Sequence, residues 1–139
     1  MKLSTRSRYG SRLILELALK FGQGPIYLKD ISNSQEISLK YLGQLIIPLK
    51  IAGIVKSSRG AHGGYFLARQ PEKIKLKEII QALEGPISLV ECLENPDICP
   101  RKRKCATRYF WKEINELFLK TLDHITVKDM VEKHKSIIS

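Results

Sequence analysis

Residues 54–68 restrict the fold more than any other stretch of the chain. They read Ile54-Val55-Lys56-Ser57-Ser58, then Arg59-Gly60-Ala61-His62-Gly63-Gly64, then Tyr65-Phe66-Leu67-Ala68. Two short runs of β-branched and aromatic residues flank a turn with three glycines. Glycine takes the positive φ values a tight turn needs, so the pattern predicts a β-hairpin. What precedes the hairpin is helical. Tyr9, Leu13, Leu17 and Phe21 recur every four residues, with Ile14 and Ala18 widening the stripe, and predict a first helix over 5–21. Gly22, Gly24 and Pro25 end it. A short strand at 26–28 and a brief helix at 29–34 follow. Ser38 then reads as the N-cap of a helix carrying Leu42, Leu45, Ile46 and Leu49 inward as far as Gly53, with a kink or break at Pro48 near its end.

Two helices across a tight turn, followed at once by a hairpin, make a winged helix-turn-helix. Past Pro71, a strand-to-helix segment (Ile74, Leu76, Ile79, Ile80, Leu83) closes at Gly85-Pro86. A long helix over 106–122 carries Phe110, Trp111, Ile114, Leu117, Phe118 and Leu122. That apolar arc is wider than one surface-lying face requires, so the excess predicts packing on a second subunit. Thr126 with Asp129 three residues on resembles a capping box and starts a final short helix. The expected fold class is α+β, mostly α. Residues 1–85 form a winged helix-turn-helix domain, 86–105 a cysteine loop, and 106–139 a dimerisation helix and tail.

Charge divides the chain in the same place. Residues 1–69 hold 11 Lys and Arg against 3 Asp and Glu, a balance of +8; residues 70–139 hold 13 against 11, a balance of +2. A basic front half on a nearly neutral back half predicts a module that binds a polyanion. No apolar run approaches the roughly 20 residues that cross a bilayer, and the N-terminus has no cleavable apolar core, so a cytoplasmic protein is expected.

All three cysteines lie in one polar stretch, Cys92, Cys99 and Cys105, with six and then five residues between them. Pro, Asn, Asp and the run Arg101-Lys102-Arg103-Lys104 surround them, which is loop chemistry. Structural cysteines sit among apolar neighbours instead. Three soft thiolates on one loop suit a 2Fe-2S cluster, with zinc or no metal as alternatives. The cations favour the thiolate form and the reduced, more negative state of a cluster.

Together these residues resemble the IscR/CymR/NsrR-type winged-helix regulators, the Rrf family. The likeness is carried by Met1-Lys2-Leu3-Ser4-Thr5 with Arg8-Tyr9-Gly10, by Ile37-Ser38-Leu39-Lys40-Tyr41-Leu42, and by Arg59-Gly60 with Gly63-Gly64-Tyr65. Leu83-Glu84-Gly85-Pro86, the three cysteines and Trp111 continue it. The resemblance implies a homodimer with crossing long helices, a cluster loop near the partner's DNA-binding domain, and transcription reset by iron supply, cluster demand, nitric oxide or redox state. Two departures stand out. Arg108 occupies the place of a histidine ligand, and Arg8 that of an acidic ligand used by nitric-oxide-sensing relatives. The fourth ligand is therefore open among Glu91, Glu94, Asp97, His124, a small thiol and water. Gly43 stands where a cluster-biogenesis regulator uses a glutamate to discriminate DNA sequences.

The residues expected to meet double-stranded DNA, in a palindromic operator, are Ser38, Lys40, Tyr41, Gln44, Arg59, Gly60 and His62. Gln44 can pair with adenine, while Ser38 and Tyr41 hold phosphates. Arg59 enters a narrow minor groove, and His62 meets a phosphate beside it. The glycines let the wing backbone approach the sugar-phosphate chain, and Tyr65 packs the hairpin. The leading reading is a transcription repressor gated by a cluster, not an enzyme. A metal-free thiol switch is the alternative, and a small iron–sulfur electron carrier ranks last.

Overall fold

The computed structural model describes residues 2–59 and 64–139. Helix α1 spans Thr5–Leu19, and the Ser4 hydroxyl caps it by accepting from the Arg6 N–H at 3.1 Å. Leu13, Ile14 and Leu17 are wholly buried. The helix stops two residues short of Phe21. Tight turns (Phe21 N–H to the Ala18 carbonyl, Gln23 N–H to the Lys20 carbonyl) lead into Gly22 and Gly24 at φ 84° and 97°. Phe21 therefore leaves the helical stripe and stays exposed.

The strand expected at 26–28 is a single bridge. Ile26 and Tyr65 exchange two backbone hydrogen bonds, at 2.9 and 2.8 Å. Helix α2 (Leu28–Gln35) follows, and Glu36 at φ 55° makes the left-handed turn into α3. The Ser32 hydroxyl donates to the Ile37 carbonyl across this turn at 2.6 Å. Helix α3 (Leu39–Ile51) is capped by Ser38, whose Oγ accepts from the Tyr41 N–H at 3.1 Å. It runs through Pro48 rather than breaking there, and ends one turn later. A proline this near a helix end removes only the one backbone bond to the carbonyl four residues before it.

Strands β1 (Val55–Ser58) and β2 (Gly64–Leu67) pair antiparallel with Val55 opposite Leu67 and Ser58 opposite Gly64, as the hairpin pattern predicts. A Cβ at Gly64 would stand 2.8 Å from the Ile26 carbonyl oxygen, so the missing side chain serves the bridge to Ile26.

A 3-10 turn (Pro71–Lys73) leads to α4 (Leu76–Glu84), which packs on α1. Then come the single turn α5 (Glu91–Glu94), a second 3-10 turn (Pro96–Ile98), α6 (Ala106–His124) and α7 (Val127–Ile138). The capping box forms. The Asp129 N–H donates to Thr126 Oγ1 at 3.1 Å, and the Thr126 N–H to Asp129 Oδ2 at 2.8 Å. Either side of it, the Leu76 N–H donates to the Ile125 carbonyl and the Val127 N–H to the Ile74 carbonyl. These bonds return the chain to its front half, where α7 lies against α1 and Val127 is buried in the same core as Leu13, Leu45 and Ile79. Burial of each such side chain contributes roughly 1.5–3 kcal/mol.

A Gly64→Ala change should cost about 1–3 kcal/mol, because it strains the backbone and drives a methyl into the Ile26 peptide. Urea denaturation, read as a lower midpoint at unchanged slope, measures it.

Candidate nucleic-acid interface and thiol segment

The cap at Ser38 fixes where α3 begins and therefore which side chains leave its first turns. Lys40 and Gln44, one turn apart, are both exposed, as is Arg59 at the end of β1. Tyr41 is held rather than free. Its hydroxyl shares a 2.9 Å hydrogen bond with Thr5 Oγ1, and its ring meets Tyr9 edge-on at 5.9 Å. It braces α3 against α1. Gly60 and His62 lie outside the described residues. Tyr65 packs partly buried against the core with Lys50 over its ring at 5.9 Å, as expected for a hairpin packing residue.

Sequence reasoning missed a second set of cations. The guanidinium groups of Arg8 and Arg12 lie 5.7 and 5.5 Å from the centre of the Tyr9 ring. Arg12 also donates to the Gln35 side-chain and backbone oxygens, and Gln35 donates to Glu16 at 2.6 Å. α1 is thus tied to the end of α2, one residue before the turn into α3. The signal was present, since Arg8 and Arg12 are four apart and share a helix face.

Glu84 ends α4 just before the thiol segment and reaches back to the start of α1. It accepts from the Ser4 N–H at 3.2 Å, from the Ser4 hydroxyl, and from the Ser7 hydroxyl at 2.8 Å. Chiefly the Ser4 hydroxyl, then the other donors against a smaller cost of burial, hold its carboxyl below the usual 4.5.

The thiols occupy three different settings. Cys92 lies in α5, Cys99 follows the second 3-10 turn, and Cys105 is the N-cap of α6; all are free and half-buried. Hydrogen bonding from the Thr107 hydroxyl, with the Arg108 N–H and the charge of Arg101 adding to it, lowers the Cys105 pKa. Among the described residues no three His, Cys, Asp or Glu side chains stand close enough to share an ion. Asp97 is engaged by Lys102 at 2.5 Å, and His124 lies roughly 28 Å along α6 from Cys105, beyond reach within one chain. The Nε of Arg108 is buried without a partner. In kind, three thiolates on one segment fit an iron–sulfur cluster. Among the described residues the three thiols are not gathered at one point, and of the chain's own candidates for a fourth ligand the geometry removes Asp97 and His124.

A capped helix presenting Lys40 and Gln44, followed by a two-stranded wing on a basic half, defines a winged-helix DNA-binding protein. Comparison with known proteins agrees. The chain belongs to the Rrf2 family, whose model, described as an iron-dependent transcriptional regulator, matches residues 3–133. It is 45% identical over 130 residues to the HTH-type transcriptional regulator CymR of Bacillus subtilis, covering 94% of this chain and 89% of that one. The solved structure of that protein, described as the global cysteine regulator, superposes with a TM-score of 0.82 at 43% identity over 96% of this chain and 98% of that one. The structure of T. potens IscR gives 0.78 at 39% identity, over 96% of this chain and 88% of that one. The chain is a transcription regulator of this family, not an enzyme. No helix among the described residues is long and apolar enough to cross a membrane.

A carboxylate with a depressed pKa adds stability above its ordinary 4.5 and loses it as pH falls through the lower, folded-state value. A Glu84→Gln variant should therefore melt below the parent at pH 7, and the two melting temperatures should converge as the pH is lowered past that range. Thermal melts at a series of pH values check this.

Proposed function

We propose that this chain represses transcription as a cytoplasmic homodimer on a palindromic operator, and that the cysteine segment sets its DNA affinity by holding a 2Fe-2S cluster. The observation that carries the DNA reading is the Ser38-capped α3, with Lys40 and Gln44 exposed on its leading turns. Residues 1–85 bind DNA, 86–105 sense, and 106–139 dimerise, with α7 returning to support the first unit. Support for the dimer is the outer face of α6, where Phe110, Trp111, Ile114 and Leu117 are all exposed, Leu117 by 61%. A row of large apolar side chains in water marks an interface.

Cys92, Cys99 and Cys105 would hold the cluster, which supplies a charge that changes with oxidation state and iron supply. Arg101 to Lys104 favour its more negative state. The family description as iron-dependent supports this assignment. A second reading, a metal-free thiol switch, is favoured by the lowered pKa of Cys105, because the thiolate is the form that oxidises.

Protein purified without oxygen should absorb in the visible, and any single Cys→Ala change should abolish that absorption. A colourless parent whose DNA affinity falls on mild oxidation would establish the thiol switch instead. Arg59→Ala should weaken operator binding by on the order of 1–3 kcal/mol, measured by fluorescence anisotropy at fixed salt. Unchanged affinity removes the wing from the interface. Leu117→Glu should sediment as a monomer and lose most affinity for a two-half-site operator.

A further inference from the structure

A cavity of about 590 Å³ opens between the end of α1, the Gly22–Pro25 turn, β2 and the turn at Pro71–Lys73. Its volume lies within the range of small-molecule sites. The walls are hydrocarbon: Leu17 and Leu67 are buried at its floor, while Phe66 and the exposed ring of Phe21 line it. Three cations line the same cavity, Lys20, Arg69 and Lys73, and no acid does. Arg69 is partly neutralised by Glu78 at 2.8 Å, whereas Lys20 and Lys73 form no salt bridge among the described residues. Gly22 and Gly24, at positive φ, leave one side of the mouth free of side chains. Ile26, another wall residue, is the partner of Tyr65 in the bridge that holds the hairpin to the body.

We propose that this cavity binds a small carboxylate with a hydrocarbon body, the chain or ring against Phe21, Phe66 and Leu67 and the carboxylate between Lys20 and Lys73, and that the bound acid shifts the hairpin. The apolar walls alone would accept any oily molecule. The exposed lysines that line it select an anion, since a carboxylate placed there gains charge-assisted hydrogen bonds that a neutral group does not. None of the three cysteines lines this cavity, so an acid bound there would be an input separate from the thiols. The effect on DNA rests on the function proposed above; the binding of the acid does not.

The test is a titration of the full-length protein, followed by amide NMR, with octanoate and phenylacetate and with the matching neutral amides. The expected result is saturable shifts confined to residues 17–26 and 66–73, with the neutral amides weaker by about tenfold, the equivalent of roughly 1.4 kcal/mol. A Lys20→Gln/Lys73→Gln variant with an unchanged melting temperature should lose the same factor for the acids and nothing for the amides. Equal binding of acids and amides overturns the assignment of the lysines, and shifts elsewhere or none at all overturn the site. A parallel anisotropy titration with operator DNA reads the coupling. Acid binding without a change in DNA affinity overturns the regulatory half, and failure to bind DNA under any condition overturns the proposed function while leaving the site standing.

Discussion

The contact between α1 and α4 at Gly10 sets the geometry of the remaining elements. A methyl group at residue 10 would overlap the outer carbon of the Leu83 side chain, so that side chain lies against bare backbone where α1 meets α4. Ser4, Ser7 and Gly10 recur every three residues and form a ridge of small groups along one edge of α1. The two serines meet Glu84 while Gly10 meets Leu83. The next residues are Gly85 and Pro86, so the path of the thiol segment away from the body is fixed by this pairing. A larger side chain in so tight a seam forces rotamers and backbone apart, at a typical cost of about 1–3 kcal/mol.

The opposite edge of α1 serves a different purpose. Tyr9 meets Tyr41 edge-on, Thr5 shares a hydrogen bond with the Tyr41 hydroxyl, and Arg12 fastens the last residue of α2. The start of α3 is thus positioned by polar and aromatic contacts near the surface as well as by the leucines beneath. Surface contacts of this kind exchange more readily with water and ions than core packing does.

Local chemistry was legible in the sequence wherever neighbours in the chain decide it. The Ser38 cap, the Thr126–Asp129 box and the hairpin all form as their spacing indicates, because each is decided by near neighbours in the chain. Contacts between distant segments were not legible. Ile26 reads as strand but pairs with Tyr65 through one bridge, since the chain turns into α2 immediately afterwards. Gly64 reads as wing and proves to be the neighbour of that bridge. Tyr41 reads as a DNA contact, yet Thr5 and Tyr9 come from thirty-odd positions away to engage it. The cysteines illustrate the same limit. Their clustering along the sequence was plain, but a helical turn, a 3-10 turn and a helix N-cap separate their settings in space.

The two backbone hydrogen bonds joining residues 74–76 to 125–127 have a consequence for how the protein is made. Ile74 and Val127, both fully buried, sit in the same core as α1 and α3. The front half cannot finish packing while the ribosome is still synthesising α6. Until α7 emerges, a nascent chain carries an apolar seam on α1 that has nothing to cover it, and such seams recruit chaperones or neighbouring chains. Pairing across about fifty residues also slows the final step, because the loop must close before the contact is gained.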